Sequence, residues 1–386
     1  MKNEKTYILY LGGIFSEEIM LTNPAVSPAA NRWQKGLVSS IMNAGESVVV
    51  LGHQPERLWP KGALRIGDLS SLPANMTGIS VPYYNVPLLR KCSLKHSYLN
   101  GFDALCQKYG LPKCIVSYNL YFHNIATGLY AQRNFNIPWI PIVADIPENQ
   151  SELTKHDQAL HEAEGRIFLS WGVCESCADV PKLHLDGGVE KILKLPIVAE
   201  GSPFIIFFSG AMNKWAGVEL LIQAFARIFR KDVKLWLCGK AIDEDTITNA
   251  ICADKRITYF GCVSDKRLEE LAGQSTIMVN PRDSSLLGNK MNFPSKVLEY
   301  LTYCKPVIST WTDGLSPEYS DVLLIAEKAT PDGIAVKIEE ILEWDQNKLA
   351  EYGQKAATFL SSKKTWDIQA QRFVKFINKI SNTSRN

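Results

Sequence analysis

One stretch, residues 276–310, most constrains what this chain can fold into. Thr276-Ile277-Met278-Val279 is short, apolar and β-branched and is bounded by polar residues, which predicts a buried strand. A loop containing Gly288 follows. Asn292-Phe293-Pro294-Ser295 then reads as a helix start, because proline in a first turn gives up an N–H that would be unpaired anyway. The helix runs through Val297, Leu298, Tyr300 and Leu301, and Pro306 opens a further strand, Val307-Ile308-Ser309-Thr310. Strand, loop, helix and strand in this order form one unit of a parallel sheet. The carboxyl end of the strand and the first amides of the helix then face one crevice, where open α/β sheets bind ligands. Phosphates suit such a helix start.

The polar residues of the stretch fit that geometry. Arg282 ends the strand, and Ser295 and Lys296 fall in the first helical turn. Glu299 is one turn further, so it flanks Ser295 and Lys296 on the helix surface. A lysine at a helix start opposes the macrodipole, which suits a neighbouring polyanion better than it suits stability. The same spacing also describes a solvated Lys–Glu face on an ordinary surface helix, and geometry alone does not separate the two.

The run Asn292-Phe293-Pro294-Ser295-Lys296-Val297-Leu298-Glu299-Tyr300-Leu301, followed by Lys305-Pro306-Val307-Ile308, resembles the donor-site helix of family-4 retaining glycosyltransferases of GT-B fold. The resemblance implies an α/β chain of two Rossmann-like domains facing a central cleft. It implies that Glu299 holds the ribose hydroxyls of a nucleotide-sugar while the helix amides hold its diphosphate. It extends more weakly over most of the chain. One position departs: the family often has a second glutamate eight residues before the first, and Met291 stands there. Some branches with the Phe-Pro-Ser-Lys pattern lack it too, so Met291 marks either a variant site or a non-catalytic one.

In chain order, Thr6-Tyr7-Ile8-Leu9-Tyr10-Leu11 reads as the first strand, with Gly12-Gly13 at its end. Ser27-Pro28 opens a helix whose stripe is Trp33, Leu37 and Ile41, and Ser47 to Leu51 is the second strand. There is no G-x-G-x-x-G, and His53-Gln54 stands where a dinucleotide site would place an acidic residue, which disfavours an oxidoreductase. Gly12 and Gly13 form a simple turn or, as the resemblance implies, let backbone approach donor or acceptor. His123 begins a helix after the Cys114–Tyr118 strand, and Asp145 ends the Trp139–Asp145 strand. Both are acceptor-side candidates; a cap or a loop hydrogen bond is the alternative for each. Gly165–Ser170 and Lys191–Leu195 read as the last strands of the first domain, and Ile197–Pro203 as a linker.

The second domain restarts the pattern with Phe204–Phe208 and the turn Ser209-Gly210-Ala211-Met212. The family usually places an arginine and a lysine in this loop, where Ala211 and Ala216 stand; Lys214 is the candidate to supply the missing charge. The expected division is an acceptor-side domain over 1–197, a nucleotide-sugar domain over 198–364, and a helix over 365–386 that crosses back to the first domain. That helix has Trp366, Ala370, Phe373, Ile377 and Ile380 on one stripe, with Gln369, Gln371, Arg372 and Lys379 on the other side.

Composition narrows the partners. Forty-two Lys and Arg balance forty Asp and Glu, so nucleic acid is not expected. Val86–Tyr109 is basic and amphipathic through Arg90, Lys91, Lys95 and His96. Such a segment docks on anionic membrane or, more commonly, forms a half-exposed surface helix. Nine scattered cysteines indicate reduced thiols, and the lone Cys174-x-x-Cys177 lacks the second pair that zinc needs. There is no signal-peptide pattern and no membrane-length apolar run, which places the protein in the cytoplasm or at the inner face of the membrane.

The resulting expectation is transfer of a hexosyl unit, with retention, from a nucleotide-sugar to a hydroxyl of a glycan or lipid-linked acceptor, in bacterial surface-polysaccharide assembly. No metal or other cofactor is expected. Lys296, Arg282, Lys214 and Asp145 are the catalytic candidates; Gly210, Ser295, Lys296 and Glu299 hold the donor; Gly12, Gly13, His123 and Asp145 face the acceptor. A sugar-nucleotide 2-epimerase and a non-catalytic relative that binds a partner enzyme or a glycan are the alternatives.

Overall fold

A computed structural model describes residues 7–67, 72–147, 149–177, 180–196, 198–199, 201–241 and 244–383. The chain divides into two compact units. The first gathers the chain up to Leu169, Val173–Gly188 and the segment from Trp366 onward; the second holds Ser170–Gly172 and Val189–Thr365.

The strands of the first unit are β1 (Ile8–Leu11), β2 (Val48–Gly52), β3 (Arg65–Ile66), β4 (Thr77–Ser80), β5 (Tyr83–Tyr84), β6 (Cys114–Tyr118), β7 (Trp139–Val143), β8 (Arg166–Phe168) and β9 (Lys182–His184). Seven of them form a parallel sheet in the order β4-β2-β1-β6-β7-β8-β9, while β3 and β5 pair antiparallel. β1, β2, β6 and β7 are buried along their whole length, as expected for parallel strands covered on both faces. The strand expected over Lys191–Leu195 is not formed. That segment belongs to the second unit, where Leu193 and Leu195 donate to the carbonyls of Thr302 and Tyr303 at 2.8 and 3.2 Å. The division therefore falls at Gly188–Val189, earlier than residue 197. Of the expected linker, Ile197 and Glu200 lie outside the described residues.

The second unit has β10 (Phe204–Ser209), β11 (Val233–Cys238), β12 (Ile257–Tyr259), β13 (Ile277–Asn280), β14 (Val307–Thr310) and β15 (Leu324–Ala326), in the parallel order β12-β11-β10-β13-β14-β15. The loop expected around Gly288 contains a short helix, Leu287–Met291, ahead of the Lys296–Thr302 helix. Lys305 is buried at the edge of this region and donates to the carbonyls of Gly273 and Ser275, which closes the turn before β13.

The last helix, Trp366–Thr383, packs on the Pro28–Asn43 helix of the first unit. Trp366, Ala370, Phe373, Ile377 and Ile380 are all buried. Trp366 meets Trp33 edge-on, with ring centroids 5.7 Å apart. Gly36 and Gly188 make room for it: a Cβ would come within 2.3 Å of the Trp366 ring at Gly36 and 2.6 Å at Gly188. Gln369, expected on the outer side, is fully buried and accepts from Arg372 at 2.8 Å. One turn after Trp366 it falls at the margin of the stripe, and Arg372 satisfies it while also donating to the His184 carbonyl.

Candidate functional site

Both sheets reverse strand order once, and ligand crevices form at such switch points. In the second unit the reversal lies between β10 and β13. Gly210 follows β10 there with φ +153°, a backbone region that favours glycine. The next strand's glycine, Gly239, approaches so closely that a Cβ on it would lie 1.9 Å from the Gly210 carbonyl oxygen. A Cβ on Gly210 would lie 3.5 Å from Lys296 Cε, so the lysine stem passes over the bare backbone of the turn.

Tyr300, one turn after Lys296, fixes that approach. Its hydroxyl accepts from the Ser209 amide at 2.9 Å and donates to the Ser209 carbonyl at 2.8 Å, and the side chain is fully buried. Burial pushes the Tyr300 phenol above its ordinary pKa, so it stays a neutral donor. Lys296 Nζ donates to both carboxylate oxygens of Glu299 at 3.0 Å, in a half-buried pair. Ser295 is the N-cap but its side chain makes no capping bond, and the Val297 amide donates to the Pro294 carbonyl at 2.9 Å.

Arg282 follows β13 on the other side of the switch. Its carbonyl accepts from Thr310 Oγ1 at 2.6 Å, and burial lowers its guanidinium pKa. Among the described residues no carboxylate pairs with it. The loop after β10 is seated against this one: a Cβ on Gly217 would collide with the Pro281 carbonyl. Asn289, buried in the short helix, donates to the carbonyls of Trp215 at 2.8 Å and Asp283 at 3.1 Å. The structure thus brings Gly210, Lys296 and Glu299 together and seats the Arg282 loop beside the turn. Lys214 is placed differently. It is exposed, its Nζ sits 5.0 Å from the Trp215 ring centre, and it lines a separate hollow of about 280 Å³ with Met212, Glu219 and Ile247.

In the first unit the reversal lies between β1 and β6. A cavity of about 850 Å³ opens there, lined by Gly12, Gly13, Gln34, His53, Arg90, Tyr98, His123 and Asn124 among others. The Gly13 amide donates to Gln34 Oε1 at 3.1 Å. His123 is buried in the first turn of the Phe122–Phe135 helix, its ring 4.4 Å from Tyr98 and 5.1 Å from His53. His53 Nδ1 and the Tyr98 hydroxyl are 2.9 Å apart. Burial, and secondly the Arg90 charge, lowers His53 to about 4; burial, then His53 and Arg90, holds His123 well below its usual value. Both imidazoles are therefore neutral at pH 7. Asn124 is buried, and among the described residues its Oδ1 has no hydrogen-bond partner, which leaves it able to accept from a donor group. Asp145 is exposed and accepts from Asn119 Nδ2 at 3.0 Å, while its own amide donates to Asn119 Oδ1 at 3.2 Å. It is a loop-bonded residue and is not among those that line this cavity.

His53, Tyr98, Asn124 and Tyr300 carry no role in the sequence reading. His53 alone left a signal, as a histidine where a dinucleotide site has an acid. The cysteines are all free, and Cys177 Sγ accepts from Arg166 at 3.0 Å. Among the described residues no group of three His, Cys, Asp or Glu could hold a metal, and no helix is long and apolar enough to cross a membrane.

Two parallel α/β domains with these switch-point loops have the fold of GT-B glycosyltransferases. Residues 203–344 match the family model described as Glycosyl transferases group 1. Among solved structures the chain resembles sucrose-phosphate synthase from Thermosynechococcus elongatus, at 16% identity and TM-score 0.70 over 98% of this chain and 100% of that one. It resembles Anabaena HepE in complex with UDP at 14% identity and TM-score 0.69, over 97% of this chain and 100% of that one. It also resembles the lipopolysaccharide outer core galactosyltransferase WaaB in its apo form, at 12% identity and TM-score 0.65 over 97% and 99% of the two chains. No curated protein sequence matches it.

Proposed function

We propose that this protein transfers a hexosyl unit from a nucleotide-sugar to a hydroxyl acceptor, with retention of configuration and without a metal. The observation that carries the reading is the set of Gly210, Lys296 and Glu299 at the β10–β13 switch point, with Arg282 lacking a described carboxylate partner. A half-buried cation without a counter-charge is costly, and a diphosphate would supply one. Lys296 and Arg282 then stabilise the charge that develops on the departing nucleoside diphosphate, where fixed cations act most strongly. Glu299 takes the ribose hydroxyls, which requires it to share or release Lys296. The HepE complex with UDP and glucose supports a uridine nucleotide as the first donor to test. The WaaB likeness supports surface-polysaccharide assembly as the setting. In the first unit, the cavity with two neutral imidazoles and the Asn124 Oδ1 receives the acceptor, glycan or lipid-linked.

One observation favours the non-catalytic reading. Lys296 is already paired with Glu299 and Lys214 lines another hollow, so the donor side holds fewer free cations than the loop sequence suggested. Calorimetry with UDP, GDP and ADP, followed by a donor and acceptor screen, separates the readings. Nucleotide binding with product formation supports transfer. Binding without product supports the non-catalytic relative, release of free sugar nucleotide products without acceptor supports an epimerase, and no binding removes the donor site.

A further inference from the structure

Cys238 ends β11 and is buried, while Cys262 lies exposed in the turn after β12. The two strands pair side by side, Leu237 against Tyr259. Beyond them the chain segments stay joined. The Gly261 carbonyl accepts from the Gly239 amide at 2.8 Å and from Cys238 Sγ at 3.4 Å. Burial pushes the Cys238 thiol up and the neighbouring Cys262 adds to this, while the Lys296 charge and the Val263 amide pull it down. Gly261 and Val263 flank Cys262 in the chain, so the Cys238 sulfur lies against the peptide groups on both sides of that residue. A buried thiol is thus held against an exposed one.

The pair is set into the Gly210 turn. Gly239, the residue after Cys238, leaves no slack there: a Cβ on it would lie 1.9 Å from the Gly210 carbonyl oxygen. Cys238 also acts on Tyr300, which holds Ser209, and Lys296 acts on Cys238. Accessible thiols beside a second thiol are the ones that oxidise reversibly. We infer that Cys238 and Cys262 form an oxidisable dithiol, in which Cys262 meets an organic disulfide first and Cys238 closes a disulfide onto it. In the first step the Cys262 sulfur, giving up its proton, attacks the organic disulfide, whose S–S bond breaks and releases one thiol. In the second the Cys238 sulfur attacks Cys262 Sγ, and its proton leaves with the other thiol. The dithiol is oxidised to one disulfide, and the organic disulfide is reduced to its thiols. The new bond replaces the Cys238–Gly261 hydrogen bond and draws Cys262 onto the Gly239–Gly261 seam. Close packing passes that shift to Gly210. The effect on nucleotide rests on the donor reading above; the dithiol itself does not.

Oxidised glutathione added to the full chain tests it, with remaining thiols capped by N-ethylmaleimide and the cysteine peptides read by mass spectrometry. The parent chain should yield a Cys238–Cys262 disulfide that dithiothreitol reverses. Cys238→Ser should trap glutathione on Cys262, and Cys262→Ser should leave Cys238 unmodified. Cys262 is exposed, so Cys262→Ser should keep the parent's melting temperature, and the parent chain alone already decides the pairing. A glutathione adduct that persists on Cys262 in the parent, as expected on the exposed Cys92 and Cys252, would overturn the inference. So would a Cys262 that does not react. Calorimetry then compares UDP binding before and after oxidation. Oxidation should weaken it roughly tenfold or more, as loss of one charged hydrogen bond does, and Cys262→Ser treated alike should keep its affinity. Equal affinity of the reduced and disulfide forms would overturn the coupling to the Gly210 turn. No UDP binding by the reduced chain would instead remove the donor reading, with the disulfide still scored by its peptides.

Discussion

The hydroxyl of Tyr300 holds both backbone groups of Ser209, accepting from its amide at 2.9 Å and donating to its carbonyl at 2.8 Å. The end of β10 is thereby tied to the helix that carries Lys296 and Glu299. The distance between the Gly210 turn and Lys296 depends on a fully buried side chain that need not touch ligand.

Tyr300→Phe should therefore act on stability and on the site together. It keeps the ring but leaves the Ser209 amide and carbonyl without a partner, at a cost of about 1–3 kcal/mol. Chemical denaturation should show that loss, and calorimetry should show weaker nucleotide binding. A variant with lowered stability and unchanged nucleotide affinity would reduce the contact to a structural one.

Lys296→Ala should lower turnover by about 10²–10³, as loss of one fixed electrostatic donor does elsewhere. The change in ground-state nucleotide affinity should be smaller, because the leaving group gains charge only in the transition state. Steady-state kinetics with the cognate donor and acceptor, beside calorimetry, checks this. Normal turnover would assign Lys296 to the Glu299 ion pair alone.

Gly36→Ala should destabilise the first unit by about 1–3 kcal/mol through overpacking, because the new methyl would lie 2.3 Å from the Trp366 ring. Adding Trp366→Leu should recover part of the loss by opening space. An unchanged melting temperature in Gly36→Ala would show that the Trp366–Thr383 helix is not held at this point.

Stability should fall as the pH drops from about 6.5, the ordinary histidine value, towards 4. His53 stays neutral to about 4 in the folded chain, and His123 to a value well below its usual one. Across that window the unfolded chain binds protons that the folded one refuses, so each imidazole contributes a slope of up to ~1.4 kcal/mol per pH unit. This contribution is fully present above pH 6.5. In denaturation curves measured across the window, His53→Gln should show a shallower decline than the parent. Equal slopes would place the loss elsewhere, for example on carboxylates.

What the sequence by itself determined was the alternation of elements and the place of the Lys296–Thr302 helix. Period and punctuation are local, so Phe204–Phe208, Thr276–Val279, Pro294 and Pro306 announce strands and a helix start without reference to partners. The parallel sheets follow from that order, because parallel strands need crossovers and crossovers are right-handed; the GT-B expectation came only through the resemblance carried by the Asn292–Leu301 run. The Lys191–Leu195 segment shows the limit. It is as apolar as a strand, yet it belongs to the second unit and bonds there to Thr302 and Tyr303, and only contacts distant in sequence decide that. The grouping of His53 and Tyr98 with His123, which the sequence did single out, was equally out of reach. The three residues lie on three separate elements, and their shared burial, which keeps the imidazoles neutral, exists only once the sheet is assembled. Lys214 and Lys296 make the same point for charge. Both are lysines close to a glycine turn, but loop packing turns one towards Trp215 and Tyr300 anchors the helix that sets the other over Gly210.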